Sequence, residues 1–284
     1  MITALLAGVL AFGMPQQQTD TTFAVRAGAR LELEVHAGSA VVRTWDRDQM
    51  RIRATHAGTG SVRIRNSGAS VRVEAAARGN VMTQKVDYEI TVPRSFGIEI
   101  EGINVAVTID GMSGDVDVEN VEGAIRITGV TGAVDVESVS GSITLDKVRG
   151  GVRASTTNQS IHLRDVSGSV SAEAVNGSIV MQDIDASIVE AHTVNGLVEY
   201  RGTVKDGGRY ALGTHNGQLT MALPERANAT LRLSTFNGRV QADFPVQVGS
   251  MREGVTQVTL GSGSARVDLE SFNGTIYLVR PAGR

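Results

Sequence analysis

With 33 glycines, 5 prolines, 4% aromatic residues and no cysteine in 284 residues, the chain is not built on a large aromatic core and has no disulfide, thiol chemistry or acylated cysteine. Its net charge of −3 is unevenly spread: residues 1–100 hold 12 Lys/Arg against 9 Asp/Glu, residues 101–200 hold 5 against 15, and residues 201–284 hold 10 against 6. A middle third at 5 minus 15, or −10, argues against nucleic acid as a partner, because phosphates need a basic face, and so few aromatic residues leave no platform for stacking bases.

Ile2 to Gly13 is an uncharged apolar run, too short to span a bilayer comfortably, that ends in the small-x-small pattern of Ala11 and Gly13. Residues 1–13 are read as a secretory signal, although no Lys or Arg precedes Arg26. Export to the periplasm, cell envelope or exterior is therefore expected, with a flexible, polar mature N-terminus over residues 14–20. No later segment reads as a transmembrane anchor.

From residue 21 to 101 the pattern is strand-like but irregular: Leu31, Leu33 and Val35, then Met50 and Ile52, Val71 and Val73, Val86, Tyr88, Ile90 and Val92, with Pro93 ending a strand. This segment, which holds Trp45, is read as an N-terminal cap and first coils, because an uncovered end of a β-array invites aggregation.

A nine-residue cell governs residues 102–200. It opens on Gly114, Gly123, Gly132, Gly141, Gly150, Gln159, Gly168, Gly177 and Ala186, and ends one residue late at Gly196. Apolar residues fall two and four places in, as at Val116 and Val118 or Ile125 and Ile127, which is the alternation of a half-buried strand. A third falls seven places in, at Val121, Val130, Val139, Val148, Val166, Val175 and Ile184. Alternate cells carry a different corner, Asn158-Gln159, Asn176-Gly177, Asn195-Gly196, Asn216-Gly217, Asn237-Gly238 and Asn273-Gly274, so the true repeat is two cells.

Asn-Gly is also the strongest short hairpin signal, and an antiparallel meander is the rival fold. Column identity favours the solenoid: stacked asparagine amides can bond as a ladder, and a meander gives no reason for them to recur. The expected fold is all-β, a single parallel β-solenoid of about eighteen residues per coil, in two strand-turn cells, capped at both ends. Glycine at each cell boundary is expected to supply the turn. Beyond Gly196 the corner spacing relaxes, so residues 201–284 read as looser C-terminal coils and a cap, with Phe236, Phe244, Phe272 and Tyr277 as closing side chains.

The Val-Asn-Gly and Thr-Phe-Asn-Gly corners, together with the Gly-x-Val-x-Val cells and the apolar start, resemble the bacterial putative-adhesin family known as domain of unknown function 4097, over roughly residues 30 to 280. The resemblance implies a β-helical envelope or surface protein. It brings no catalytic residues with it.

Among candidate sites, Asp117 should lie over Asp135 and Glu119 over Glu137, one strand spacing of about 4.8 Å apart. Hard cations such as calcium favour oxygen-only ligands of this kind. Arg153, in the same column, offsets part of that charge, and the cells lack the Gly-Gly-x-Gly-x-Asp pattern of calcium-loaded repeats. No metal or cofactor is assigned. His162, His192 and His215 have no sequence-local Ser, Asp or Cys partner, and no catalytic residue is assigned either; His36 and His56 fall in the N-terminal segment.

The expected function is that of an exported structural or adhesin-like scaffold, binding an envelope or surface protein or glycan through repeated sheet faces, with self-association open. The alternative is a carbohydrate-active enzyme, a polysaccharide lyase or glycosidase on a β-helix, which would need carboxylates converging in a cleft.

Overall fold

The computed structural model describes residues 16–57, 61–76, 85–224, 226–246, 248–252 and 255–281. The expected secretory signal, with Met14 and Pro15, lies outside the described residues.

The chain first forms β1 (Gln16–Ala24), β2 (Arg30–Trp45), β3 (Gln49–Ala57), β4 (Ser61–Asn66), β5 (Ser70–Ala76), β6 (Lys85–Pro93) and β7 (Gly97–Asp110). The regular region holds β8 (Val116–Glu122), β9 (Ile125–Thr128), β10 (Val134–Ser140), β11 (Ile143–Val148), β12 (Val152–Thr156), β13 (Ile161–Val166), β14 (Val170–Ala174), β15 (Ile179–Ile184), β16 (Ile188–Asn195) and β17 (Val198–Gly202). After it come β18 (Arg209–Asn216), β19 (Leu219–Ala222), β20 (Ala229–Thr235), β21 (Val240–Ala242), β22 (Val248–Arg252), β23 (Val255–Leu260), β24 (Ala265–Asn273) and β25 (Ile276–Val279).

The fold is an all-β, largely parallel repeat in which the strands form two ladders. Through the regular region one ladder takes β8, β10, β12, β14, β16 and β18, and the other β9, β11, β13, β15, β17 and β19. From β8 to β14 and from β9 to β15, neighbours in a ladder align residues eighteen apart, as Val116 with Val134 and Val134 with Val152, so like side chains stack on like; the interval then widens to nineteen and twenty-one, as Val170 with Val189 and Val189 with Tyr210. The long strands β2 and β7 pass from one ladder to the other, pairing through Arg30–Glu34 in the first and Ala37–Val42 in the second.

Between the ladders lies a dry core of small and branched side chains. Val116, Val118, Ile125 and Ile127 are at most 1% exposed, as are their equivalents Ile143, Leu145, Ile161 and Leu163. Each such burial stabilises by about 1.5–3 kcal/mol, so the array rests on many similar rungs rather than on one aromatic centre.

Chain order and stacking order part at both ends. Near the C-terminus β24 lies between β18 and β20, and β25 lies between β19 and β21, so the final coil is inserted inside the one that precedes it in sequence. Near the N-terminus β2 is likewise held between β7 on one side and β5 and β6 on the other. Antiparallel strands lie outermost: β1 on β3, β4 on β5, and β22 on β23. The segment expected to be flexible, from Gln16 to Asp20, is the first half of β1. It is tied down by its ladder to β3 and by Asp20, which accepts from Arg51 at 2.9 and 2.7 Å and from Arg53 at 3.1 Å.

At the asparagine-bearing corners from Gly177 onward, glycine is required by close stacking rather than by a left-handed turn, contrary to expectation. Gly177, Gly196, Gly217 and Gly274 are not in the left-handed backbone region; a Cβ on any of them would overlap the carbonyl oxygen of the equivalent residue one coil away, as Gly177 over Gln159 and Gly196 over Gly177. Close stacking excludes the side chain there, with the glycine Cα–H set against the carbonyl. Of the cell-opening glycines, Gly123 (φ 110°) and Gly168 (φ 115°) do have positive φ, but the regular left-handed turn belongs to another column eighteen apart: Gly111, Gly129, Lys147 (φ 56°), Asp165 (φ 51°) and Asp183 (φ 53°).

Candidate functional site

The two edges of the array treat the third apolar residue of the cell oppositely. Val130, Val148, Val166 and Ile184 are buried, whereas Val121, Val139, Val175 and Val194 are 41–46% exposed on the asparagine-bearing edge. Ile103, Phe236 and Phe272 join that edge, so seven of the eight exposed large hydrophobic side chains among the described residues stand in one column. His215 belongs to it too, stacked on Phe272 at 4.7 Å between ring centroids, with Phe236 stacked on Phe272 at 4.9 Å. Phe236 and Phe272 therefore project outward, while of the expected closing aromatics Phe244 is buried.

Beside this ridge runs the asparagine ladder. Asn158 donates to Ser140 Oγ (3.3 Å), Asn176 to Asn158 (3.2 Å), Asn195 to Asn176 (2.9 Å), Asn216 to Asn195 (2.9 Å), Asn273 to Asn216 (2.8 Å) and Asn237 to Asn273 (3.0 Å). Beneath it is a largely buried hydroxyl column, interrupted by Ala174 at the Asn176-Gly177 corner: Thr156 donates to the carbonyl of Gly141, Thr193 to that of Gly177, Thr214 to that of Gly196, Thr235 to that of Gly274 and Ser271 to that of Gly217. These hydroxyls satisfy backbone acceptors where the chain turns, which is why a polar column is tolerated inside the array.

On the other side of the ridge a shallow furrow follows the stacking axis. Its first part, of about 500 Å³, crosses β2, β7, β8, β10 and β12, and a second part of about 360 Å³ continues over β12, β14 and β16. One wall is the ridge; the other is the outward side chain five places into the cell, Glu34, Glu101, Glu119, Glu137, Ser155, Glu173 and His192 in stacking order. A Cβ at Gly213 would lie 2.6 Å from Nδ1 of His192, so glycine there leaves that ring its room.

The structure places Asp117 in register with Asp135 and Glu119 with Glu137, and extends both columns backward to Glu99 and Glu101 and on to Glu32 and Glu34. In the first column cations intervene: Arg30 meets Glu99 at 2.9 Å, Arg72 meets Glu32 at 2.8 Å, and Arg153 reaches Asp135 at 3.8 Å. Partial burial, with the charges of Asp135 and Glu99, raises the Asp117 carboxyl above its ordinary range; burial, with the charges of Asp117 and Glu137, does the same to Glu119. The carboxylates project side by side from one sheet, and among the described residues no three His, Asp or Glu side chains are grouped to hold a metal ion. The acidic patch is thus a like-charged wall rather than a cage.

The histidines do not assemble. His162 points outward from the opposite ladder, in register with Thr144 and Val180, His56 is buried beside β6, and His36 sits at the N-terminal end of the furrow. Column identity in the sequence already held the ridge, but whether its members face in or out was not readable from spacing alone.

Comparison with known proteins adds the following. The family model described as Toastrack DUF4097 matches residues 28–278. A putative cell adhesion protein of Clostridium sporogenes is similar at 9% identity, covering 94% of this chain and 100% of that one, with a TM-score of 0.25. A putative adhesin of Bacteroides fragilis is similar at 13% identity, over 92% of this chain and 97% of that one, with a TM-score of 0.45. A putative adhesin of Parabacteroides distasonis is similar at 10% identity over the same shares, with a TM-score of 0.31. No curated protein matches the chain.

Proposed function

Since this chain belongs to the Toastrack DUF4097 family, whose model spans 28–278, we propose that it serves as an exported, non-catalytic scaffold of the cell envelope or surface, holding a partner along its asparagine-bearing edge. The observation that carries this reading is the ridge: an array that buries its apolar residues so thoroughly elsewhere leaves seven large ones exposed in a single line. Contiguous exposed apolar surface rimmed by polar groups is the mark of an interaction site. The furrow walls repeat one side chain per strand, an arrangement suited to contact with an elongated partner. The adhesin-like role and the export reading rest further on the names of the structural neighbours and on the apolar run before Met14; no helix among the described residues is long and apolar enough to cross a membrane.

The test is retention of the full chain on purified envelope proteins and cell-wall glycans, comparing wild type with Val139→Ser/Val175→Ser/Val194→Ser. Loss of retention at an unchanged melting temperature supports the reading. Turnover of a glycan by the wild type, or equal retention of the triple variant, removes it.

A further inference from the structure

Resting on that scaffold reading, we propose that the first part of the furrow receives an extended basic segment of a partner polypeptide, its Lys or Arg side chains over alternate members of the glutamate row, Glu101 and Glu137 or Glu34 and Glu119, and its apolar residues against the ridge.

Two observations converge on this partner. Glu101, Glu119 and Glu137 stand one strand apart on neighbouring strands without an ion pair or hydrogen bond, although every carboxylate of the adjacent column except Asp117 has an arginine. Like charges set directly opposite each other on a sheet are destabilising, so this wall is costly unless something cationic lies on it. Second, the facing wall, Ile103, Val121 and Val139, is apolar and exposed over the same strands, so charge and apolar surface run side by side along one furrow.

The ligand must therefore be cationic and apolar in alternation along one axis. A bare metal ion lacks the second property and finds no convergent ligands among the described residues; a nucleic acid has the wrong charge. A polypeptide in polyproline II conformation has both properties and the right pitch. Its three-residue repeat of about 9.3 Å is close to two strand spacings of about 9.6 Å, so a basic residue at every third position meets every second glutamate.

The test uses the full chain and a fluorescent twelve-residue probe, (Lys-Pro-Leu)4, with (Glu-Pro-Leu)4 and (Lys-Pro-Ser)4 as controls, followed by fluorescence anisotropy. Wild type is expected to bind the first probe at least tenfold more tightly than either control, with affinity falling as salt rises from about 50 to 300 mM and charges are screened. Glu119→Gln/Glu137→Gln should lose at least tenfold in affinity while melting at a higher temperature, a combination that a purely structural role for the pair would not give. Unchanged affinity in that variant, or no preference of wild type for the first probe, overturns the inference. If wild type ignores the probe yet shows ridge-dependent retention on envelope material, the basic-segment inference falls and the scaffold reading stands; failure of both removes both.

Discussion

The side-chain amide of Asn273 donates to Asn216 at 2.8 Å although 57 residues separate them, while Asn237, nearer in sequence to both, bonds to the far side of Asn273. The last coil is therefore a wedge between two coils formed earlier in the chain. Val267, Leu269, Ile276 and Leu278 are at most 1% exposed within it. Leu269→Ala should cost about 2–5 kcal/mol, and ending the chain at Gly263 should strip the core from both flanking coils. Urea denaturation of the first and size exclusion of the second check this; a monomeric, cooperatively folded truncation would contradict the wedge.

In the regular region chain order and stacking order coincide, so whole coils are separable. Deleting residues 141–158 joins Ser140 to Gln159, brings β13 onto β9 and β14 onto β10, and keeps each column in phase. That variant should fold and lose only about one coil's share of stability, as nearest-neighbour arrays do. Deleting residues 141–149 instead sends every later strand to the wrong ladder and should aggregate. Circular dichroism with size exclusion compares them, and equal tolerance of both deletions would refute a two-strand repeat.

The contrast between these two variants marks how much of the fold is legible in the sequence. Eighteen-residue stacking was legible at Val116, Val134 and Val152 because identical residues recur at a fixed interval. The wedge was not, because spacing says which residues occupy a corner and nothing about which coil sits beside which. The acidic columns were legible at Asp117, Glu119, Asp135 and Glu137; their continuation to Glu101 and Glu34 crosses the irregular segment and was hidden. The left-handed column escaped because Lys147, Asp165 and Asp183 carry no glycine to announce it.

Glycine substitutions separate steric from torsional causes. Gly177→Ala should destabilise by about 1–3 kcal/mol, the range of an overpacked site, because even a methyl group meets the Gln159 carbonyl. Lys147, exposed and left-handed at φ 56°, should behave oppositely: Lys147→Gly relieves a strain of about 1–2 kcal/mol, offset by glycine's greater entropy loss. Thermal melts showing the same sign for both variants would defeat this assignment.

The carboxylates make the pH response two-sided. A carboxyl that ionises less readily in the folded chain binds protons more tightly there, so its penalty is absent at low pH and grows as pH rises through and above the ordinary carboxylate range. Glu119, raised by burial and by its acidic neighbours, is of this kind. Glu119→Gln should therefore raise the melting temperature at pH 7 and leave it unchanged near pH 3. Asp20 has the opposite sign: the Arg51 hydrogen bond holds its pKa at about 2, below the ordinary 3.8, so its support of β1 is present above about pH 4 and lost as pH falls through 2. A Glu119→Gln gain that is equal at pH 3 and pH 7 would show that the wall carries no charge strain.

The ridge has a property that a conventional pocket lacks. Val121, Val139, Val175 and Val194 are the same residue at similar exposure, so a partner held as proposed and shifted from Val121 to Val139, or from Val175 to Val194, would meet the same ridge side chain. Such a shift within either pair would let the partner creep along the edge without letting go. Thr157 interrupts this translation in the middle, and the stacked rings of His215, Phe272 and Phe236 end it. On the proposed reading the edge would be a track with a buffer stop, with position decided at the aromatic end and grip spread over the valines.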